Sequence, residues 1–188
     1  MARQKNNAVM HNARGMFAKQ VVFKERAGRV YLAGPPNTKL NRKATEPQLE
    51  VQERFKAATE YAKDAVLDPE MKKAYAKAAN RRQTAYNIAF RDAYNAPVVK
   101  AVFTNGYRGV AGDSIIVQAK DDFKVNEVKV AIFNPLGELI EQGEAVAMGD
   151  RKSWNYTVTQ ANGSLPGTKI KASAFDIPEN EGILEITL

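Results

Sequence analysis

Three textures of hydrophobic and polar positions follow one another along the chain. Residues 1–19 show no hydrophobic period and are rich in Asn, Arg and Lys, which predicts an arm with a short helical piece around Ala13–Lys19. Two short runs, Gln20–Lys24 and Arg29–Ala33, then alternate apolar and polar positions around a glycine-containing turn at Glu25–Gly28, the pattern of a β-hairpin. An isolated hairpin is marginal in water, so this one needs a surface to lie on. Gly34–Lys43 reads as a linker, because its proline pair favours extended backbone. Thr45-Glu46-Pro47-Gln48 matches a capping box, and the helix after it places Leu49, Phe55, Ala58, Ala62, Ala65 and Val66 on one stripe.

Asp68-Pro69 starts a second helix with Met71, Ala74, Tyr75, Ala78 and Ala79 on its inner side. Thr84 caps a third, whose apolar face is Tyr86, Ile88, Ala89, Phe90 and Ala93, and Asn95-Ala96-Pro97 closes it. From Val98 onward the period becomes two. Strands are expected at Val98–Thr104, Ser114–Ala119, Glu127–Asn134, Glu138–Glu144, Ser153–Thr159, Thr168–Asp176 and Gly182–Leu188, with turn signals between them. Their inward residues would be Ile115/Val117/Ala119, Val128/Val130/Ile132, Trp154/Tyr156/Val158, Ile170/Ala172/Ala174 and Leu184/Ile186/Leu188. Seven short strands with frequent turns are the signature of a sandwich. The fold class is therefore α+β. A basic arm (1–19) leads into a hairpin plus three-helix assembly domain (20–97), followed by an all-β sandwich domain (98–188).

Asp113–Leu188 resembles the immunoglobulin-like domains of bacterial surface and phage proteins. The resemblance is carried by Gly112–Val117, Asp121–Val125, Gly137–Ile140, Trp154-Asn155-Tyr156 and the segment Ala172–Glu181, which is similar to that family's closing "A-x-D-x-x-G-N" hairpin. Glu179 stands where the family's glycine lies, so a different turn geometry is expected there. The resemblance implies an Ig-like fold acting in adhesion, spacing or decoration, and the fold alone names no activity. Tyr61–Tyr75 also resembles the end of a J-domain, but no His-Pro-Asp loop occurs, and Asp-Pro-Glu is a good helix start in any fold.

Charge sharpens this picture. The net charge is +7, and residues 1–43 hold ten Lys/Arg against the single acid Glu25, whereas residues 98–188 hold nine against twelve. A basic arm before a mildly acidic end suits either a polyanion or the acidic face of a neighbouring copy. Arg3, Lys5, Arg14, Lys19, Lys24, Arg26, Arg29, Arg42 and Lys43 are the candidate assembly or polyanion contacts, and Val21, Phe23, Val30, Tyr31 and Leu32 the candidate hairpin contacts.

Zero cysteines and a lone His11 remove thiolate catalysis, Cys-based metal sites and the histidine pairs of zinc enzymes. No catalytic residue, cofactor or small-molecule substrate is expected. Asp121, Asp122 and Asp176, with Asp113 and Glu179, are candidate calcium ligands, but they lack EF-hand or repeat spacing, and turn-forming aspartates are the favoured reading. No apolar stretch reaches the length of a membrane span, and no apolar run of signal-peptide type follows the basic N-terminus. Synthesis in the cytoplasm is expected, with any extracellular or virion-like assembly reached by another route. The leading expectation is a non-enzymatic homopolymer, a filament or tube built through arm, hairpin and helices and displaying the sandwich. The alternatives are a nucleic-acid-associated protein gripping phosphates with the arm, and an adhesion module binding through the sandwich.

Overall fold

A computed structural model describes residues 13–26, 28–35, 43–150 and 152–188. The chain divides into two compact units, Met1–Gln48 and Leu49–Leu188.

The first unit holds a three-stranded antiparallel sheet in the order β1 (Gly15–Phe17), β2 (Val21–Arg26), β3 (Arg29–Ala33). β2 and β3 are the expected hairpin, with Arg26 paired to Arg29 and Gly28 at φ +72°. The helical piece expected around Ala13–Lys19 is instead β1 and a tight turn. Gly15, Met16 and Phe17 pair with Phe23, Val22 and Val21. Ala18 and Lys19 take φ of +50° and +56°, and the Gln20 amide donates to the Phe17 carbonyl at 3.1 Å. The reason is pairing: the free edge of β2 offers Met16 and Phe17 ladder partners, and that context outweighs local helix preference.

α1 (Glu46–Leu67), which begins in the last residues of the first unit, and α2 (Pro69–Ala78) and α3 (Ala85–Tyr94) of the second start where their caps dictate. Gln48 Oε1 accepts from the Thr45 amide at 3.1 Å, the returning half of a capping box. Asp68 accepts from the Glu70 and Met71 amides, and Thr84 from the Asn87 amide. Ala58, Ala62 and Ala65 bury the later turns of α1 as the stripe requires, but Leu49 and Phe55 remain about half exposed. Phe55 meets only the edge of Phe90, with ring centroids 5.0 Å apart.

The sheets are four-stranded, in the orders β11-β10-β6-β7 and β4-β5-β9-β8. They comprise β4 (Val98–Phe103), β5 (Ser114–Lys120), β6 (Glu127–Phe133), β7 (Leu139–Glu144), β8 (Val146–Ala147), β9 (Ser153–Thr157), β10 (Lys169–Phe175) and β11 (Glu181–Thr187). All seven expected strands are present, and β8 is an added two-residue edge. Residues of both sheets meet in one core, with Ile115, Val117, Val128, Val130, Ile132, Ile170, Ala172 and Ala174 almost wholly buried. The fold is sandwich-like, with inner faces alternating along each strand. On β11, Leu184 and Ile186 are only half-buried, and Leu188, just beyond it, is exposed, because β11 lies at a sheet edge.

The helices, from Leu49 onward, and the sandwich lie in one compact unit, and the hairpin lies in the other. The physical link is local: the Tyr75 ring of α2 packs on Phe123 of the β5–β6 loop with centroids 4.5 Å apart. Asn180 of the β10–β11 turn also donates to the Asp92 and Ala93 carbonyls of α3 at 3.3 Å.

Glu179 in that turn has φ +70°, the left-handed backbone that suits glycine. The Asp176 side chain holds the turn by accepting from the Asn180 amide at 2.7 Å. Relief of the left-handed strain makes Glu179→Gly a stabilising change of about 0.5–1 kcal/mol. The urea midpoint is expected to rise, and a fall would show that the Glu179 side chain holds the turn.

Candidate functional site

The register of the N-terminal sheet sorts its side chains onto two faces, since directly paired residues share a face and successive residues alternate. Phe23 pairs with Gly15 and Leu32, and Val21 with Phe17, so Phe17, Val21, Phe23, Val30 and Leu32 lie on one face, with Glu25 at its end. The opposite face carries Met16, Val22, Lys24, Arg26, Arg29, Tyr31 and Ala33. No described residue of this unit is buried, and Phe17 is 70% exposed. Val21, Phe23, Val30 and Leu32 are half-buried, so part of this face still meets water, at a cost of about 25 cal/mol per Å² of apolar surface.

The residues nominated on sequence divide accordingly. Val21, Phe23, Val30 and Leu32 come together on the apolar face. Tyr31 lies on the other with Lys24, Arg26 and Arg29, while Lys19 sits in the β1–β2 turn. Arg14 is drawn into an ion pair with Glu25. Lys43 is exposed just before α1. Arg3, Lys5 and Arg42 lie outside the described residues.

A second site lies in the other unit, where α3, the β5–β6 loop and the β10–β11 turn converge. Asp92, Asp121 and Asp176 each bring a carboxylate oxygen to within 4.8 Å of the others. Asp92 and Asp176 are essentially fully buried, and Asp121 half-buried. The Tyr75 hydroxyl donates to Asp92 Oδ2 at 2.6 Å and is itself 2.9 Å from the Tyr61 hydroxyl. Asp121 Oδ2 accepts from the Phe123 and Lys124 amides at 2.9 and 3.0 Å, and Asp176 accepts from the Asn180 backbone and side-chain amides. The other oxygens of the first two, Asp92 Oδ1 and Asp121 Oδ1, are buried without a hydrogen-bond partner.

Electrostatics follow from this packing. Burial pushes the Asp92 carboxyl up to about 8, with the Tyr75 hydrogen bond opposing and Asp121 and Asp176 reinforcing. Burial also raises Asp176, against the hydrogen bonds from Asn180. Burial, aided by the bond to Asp92, drives the Tyr75 phenol far above its ordinary range. Among the described residues, no Lys or Arg forms an ion pair with any of the three acids.

Of the acids nominated on sequence, the structure joins Asp121 and Asp176 and separates the rest. Asp122 is bound instead to Arg91 at 2.9 Å and to Asn95 at 2.7 Å. Asp113 accepts from the Arg108 and Val110 amides as a turn former, and Glu179 is exposed. Asp92 was missed. Its signal was its place four residues after Ile88 and three after Ala89, a charged residue on the buried stripe of α3.

No family model and no curated protein sequence matches the chain. Solved structures that share limited similarity with it include the following two. CopC from Methylosinus trichosporium OB3b is 11% identical, with 47% of this chain and 87% of that one covered at a TM-score of 0.35. An engineered protein is 12% identical, with 54% of this chain and 24% of that one covered at a TM-score of 0.32. Both lie below the similarity that transfers a fold or a role. Among the described residues, no helix is long and apolar enough to cross a membrane.

Proposed function

We propose that the protein is a non-enzymatic structural protein that self-assembles through its N-terminal sheet, each copy carrying an Ig-like sandwich with its helices. One observation carries the reading: five apolar side chains share one face of a sheet whose unit contains no buried described residue. Three short strands with no buried residue among those described gain little apolar burial of their own, and a neighbouring copy laid on that face supplies it. A contact that joins different surfaces of successive copies, with a rotation that does not close into a ring, yields a filament or tube. The Asp176–Asn180 turn, similar to the closing hairpin of bacterial and phage Ig-like domains, supports the Ig-like reading of the sandwich.

The test is light scattering and negative-stain microscopy on the full chain, after nuclease treatment. The wild type is expected to polymerise. Phe23→Asp, central on the apolar face, is expected to raise the concentration needed for assembly at least about thirtyfold while leaving the sandwich folded. A monomeric wild type, or a Phe23→Asp protein that assembles equally well, overturns the proposal.

The other face favours a second reading. Lys24, Arg26 and Arg29 lie beside Tyr31, an arrangement able to meet phosphates and stack on a base. Binding of single-stranded nucleic acid that falls steeply with salt, and that is lost in Arg26→Glu but kept in Phe23→Asp, would establish it.

A further inference from the structure

We propose that Asp92, Asp121 and Asp176 form a calcium site that clamps the helices to the sandwich. The clustering of three acids is one observation, and the orphaned oxygens are another. Asp92 is 0% exposed, and its Oδ1 has no hydrogen-bond partner. Asp121 Oδ1 is likewise buried and unpartnered. Without an ion these two oxygens can be joined only by a proton carried on Asp92 and shared with Asp121, and a divalent cation in its place would meet both oxygens and neutralise the third acid as well.

The donor set selects the ion. Every offered ligand is a carboxylate oxygen, which suits hard cations. Three carboxylate oxygens gathered within 4.8 Å suit calcium, which accepts an irregular shell of six to eight oxygens, better than magnesium, which demands near-ideal octahedral geometry and keeps most of its waters. Asp176 retains capacity for metal although it accepts from Asn180, since each carboxylate oxygen has a second lone pair. Asp121 also provides an entry path. It lines two open cavities, one of about 430 Å³ with Tyr94 and Lys100, the other of about 750 Å³ with Phe123 and Trp154. Water entering there would complete the six to eight oxygens that calcium takes.

The site joins three segments distant in sequence: α3 through Asp92, the β5–β6 loop through Asp121, and the β10–β11 turn through Asp176. A divalent ion would turn their mutual repulsion into a cross-link between the helical layer and both sheets.

The experiment uses the full chain, stripped with a chelator and returned to metal-free buffer, with calcium chloride and terbium chloride as the probes. Calcium at about ten times its dissociation constant is expected to raise Tm by about 3–6 °C. Terbium, a calcium mimic, is expected to luminesce on excitation of tyrosine, because Tyr75 touches Asp92, and calcium should displace it. Asp121→Asn, which keeps an oxygen for the Phe123 and Lys124 amides, should lose the Tm shift and weaken terbium binding at least tenfold. Asp122→Asn should retain both. The assignment fails if the wild type shows neither response, or if Asp121→Asn responds like wild type. An equal Tm shift with magnesium chloride overturns the choice of calcium. If Asp121→Asn does not fold, the wild-type titration alone still decides.

Discussion

Gly182→Ala is expected to destabilise the Leu49–Leu188 unit by about 3 kcal/mol or more, the upper range for a single methyl group added to a packed site. Gly182 pairs with Ala174 on β11, at the edge of one sheet, and its backbone faces the Pro97 carbonyl just before β4, at the edge of the other. A Cβ there would fall inside the van der Waals envelope of the Pro97 oxygen, and its next neighbours, the Pro97 carbonyl carbon and the Val98 nitrogen, are backbone as well. Backbone cannot swing aside as a side chain can, so the two edges must separate where the sandwich is closed. Gly163→Ala is the control, since an added methyl there meets nothing within 4 Å, and its effect should stay within about 0.5 kcal/mol. Urea denaturation followed by circular dichroism measures both. A Gly182→Ala midpoint matching that of the control would mean the edges are free to part.

Tyr75→Ala carries the second large effect, about 3–5 kcal/mol, because it removes the largest fully buried side chain of the unit and leaves a cavity. Tyr75 is wholly buried among Ala62, Ala65, Ile88 and Ala89, with its ring against Phe123 and its hydroxyl on Asp92. Tyr75→Phe separates the two contributions. It keeps the ring and leaves Asp92 Oδ2 without its donor, so about 1–3 kcal/mol should be lost. Chemical denaturation of the pair decides. A Tyr75→Ala protein within about 1 kcal/mol of wild type would show that the alanine-rich helices do not depend on this ring to dock. Around the ring α1 contributes Ala62 and Ala65 and α3 contributes Ile88 and Ala89, mostly small neighbours that cannot fill the gap the ring would leave.

How much was legible in the sequence depended on the range of the interactions involved. Strand alternation is a local signal, and it located the core positions Ile115 to Ala174 because a residue slipped by one place would face water. Helix starts were equally legible, since Asp68 and Thr84 bind amides only two or three residues away. The first turns of α1 were not. Leu49 and Phe55 satisfy the periodic pattern, but burial needs a facing surface, and Phe90 covers only one side of Phe55.

The acidic cluster shows the same limit. Asp121 and Asp176 were visible as turn aspartates, and as turn aspartates they bind Phe123, Lys124 and Asn180. Their meeting with Asp92 had no local signature, because α3 reaches the β5–β6 loop and the β10–β11 turn only once both sheets have formed.

By itself the sequence determined the order of elements from β2 onward except β8, the helix caps, the inward face of the central sandwich strands and the absence of cysteine chemistry, all of which rest on neighbours a few residues apart. Only the tertiary structure decided that the helices join the sandwich, that β1 completes the N-terminal sheet, and that three distant carboxylates converge. Each of these depends on which surfaces meet after folding, and periodicity states that a face is apolar without stating what covers it.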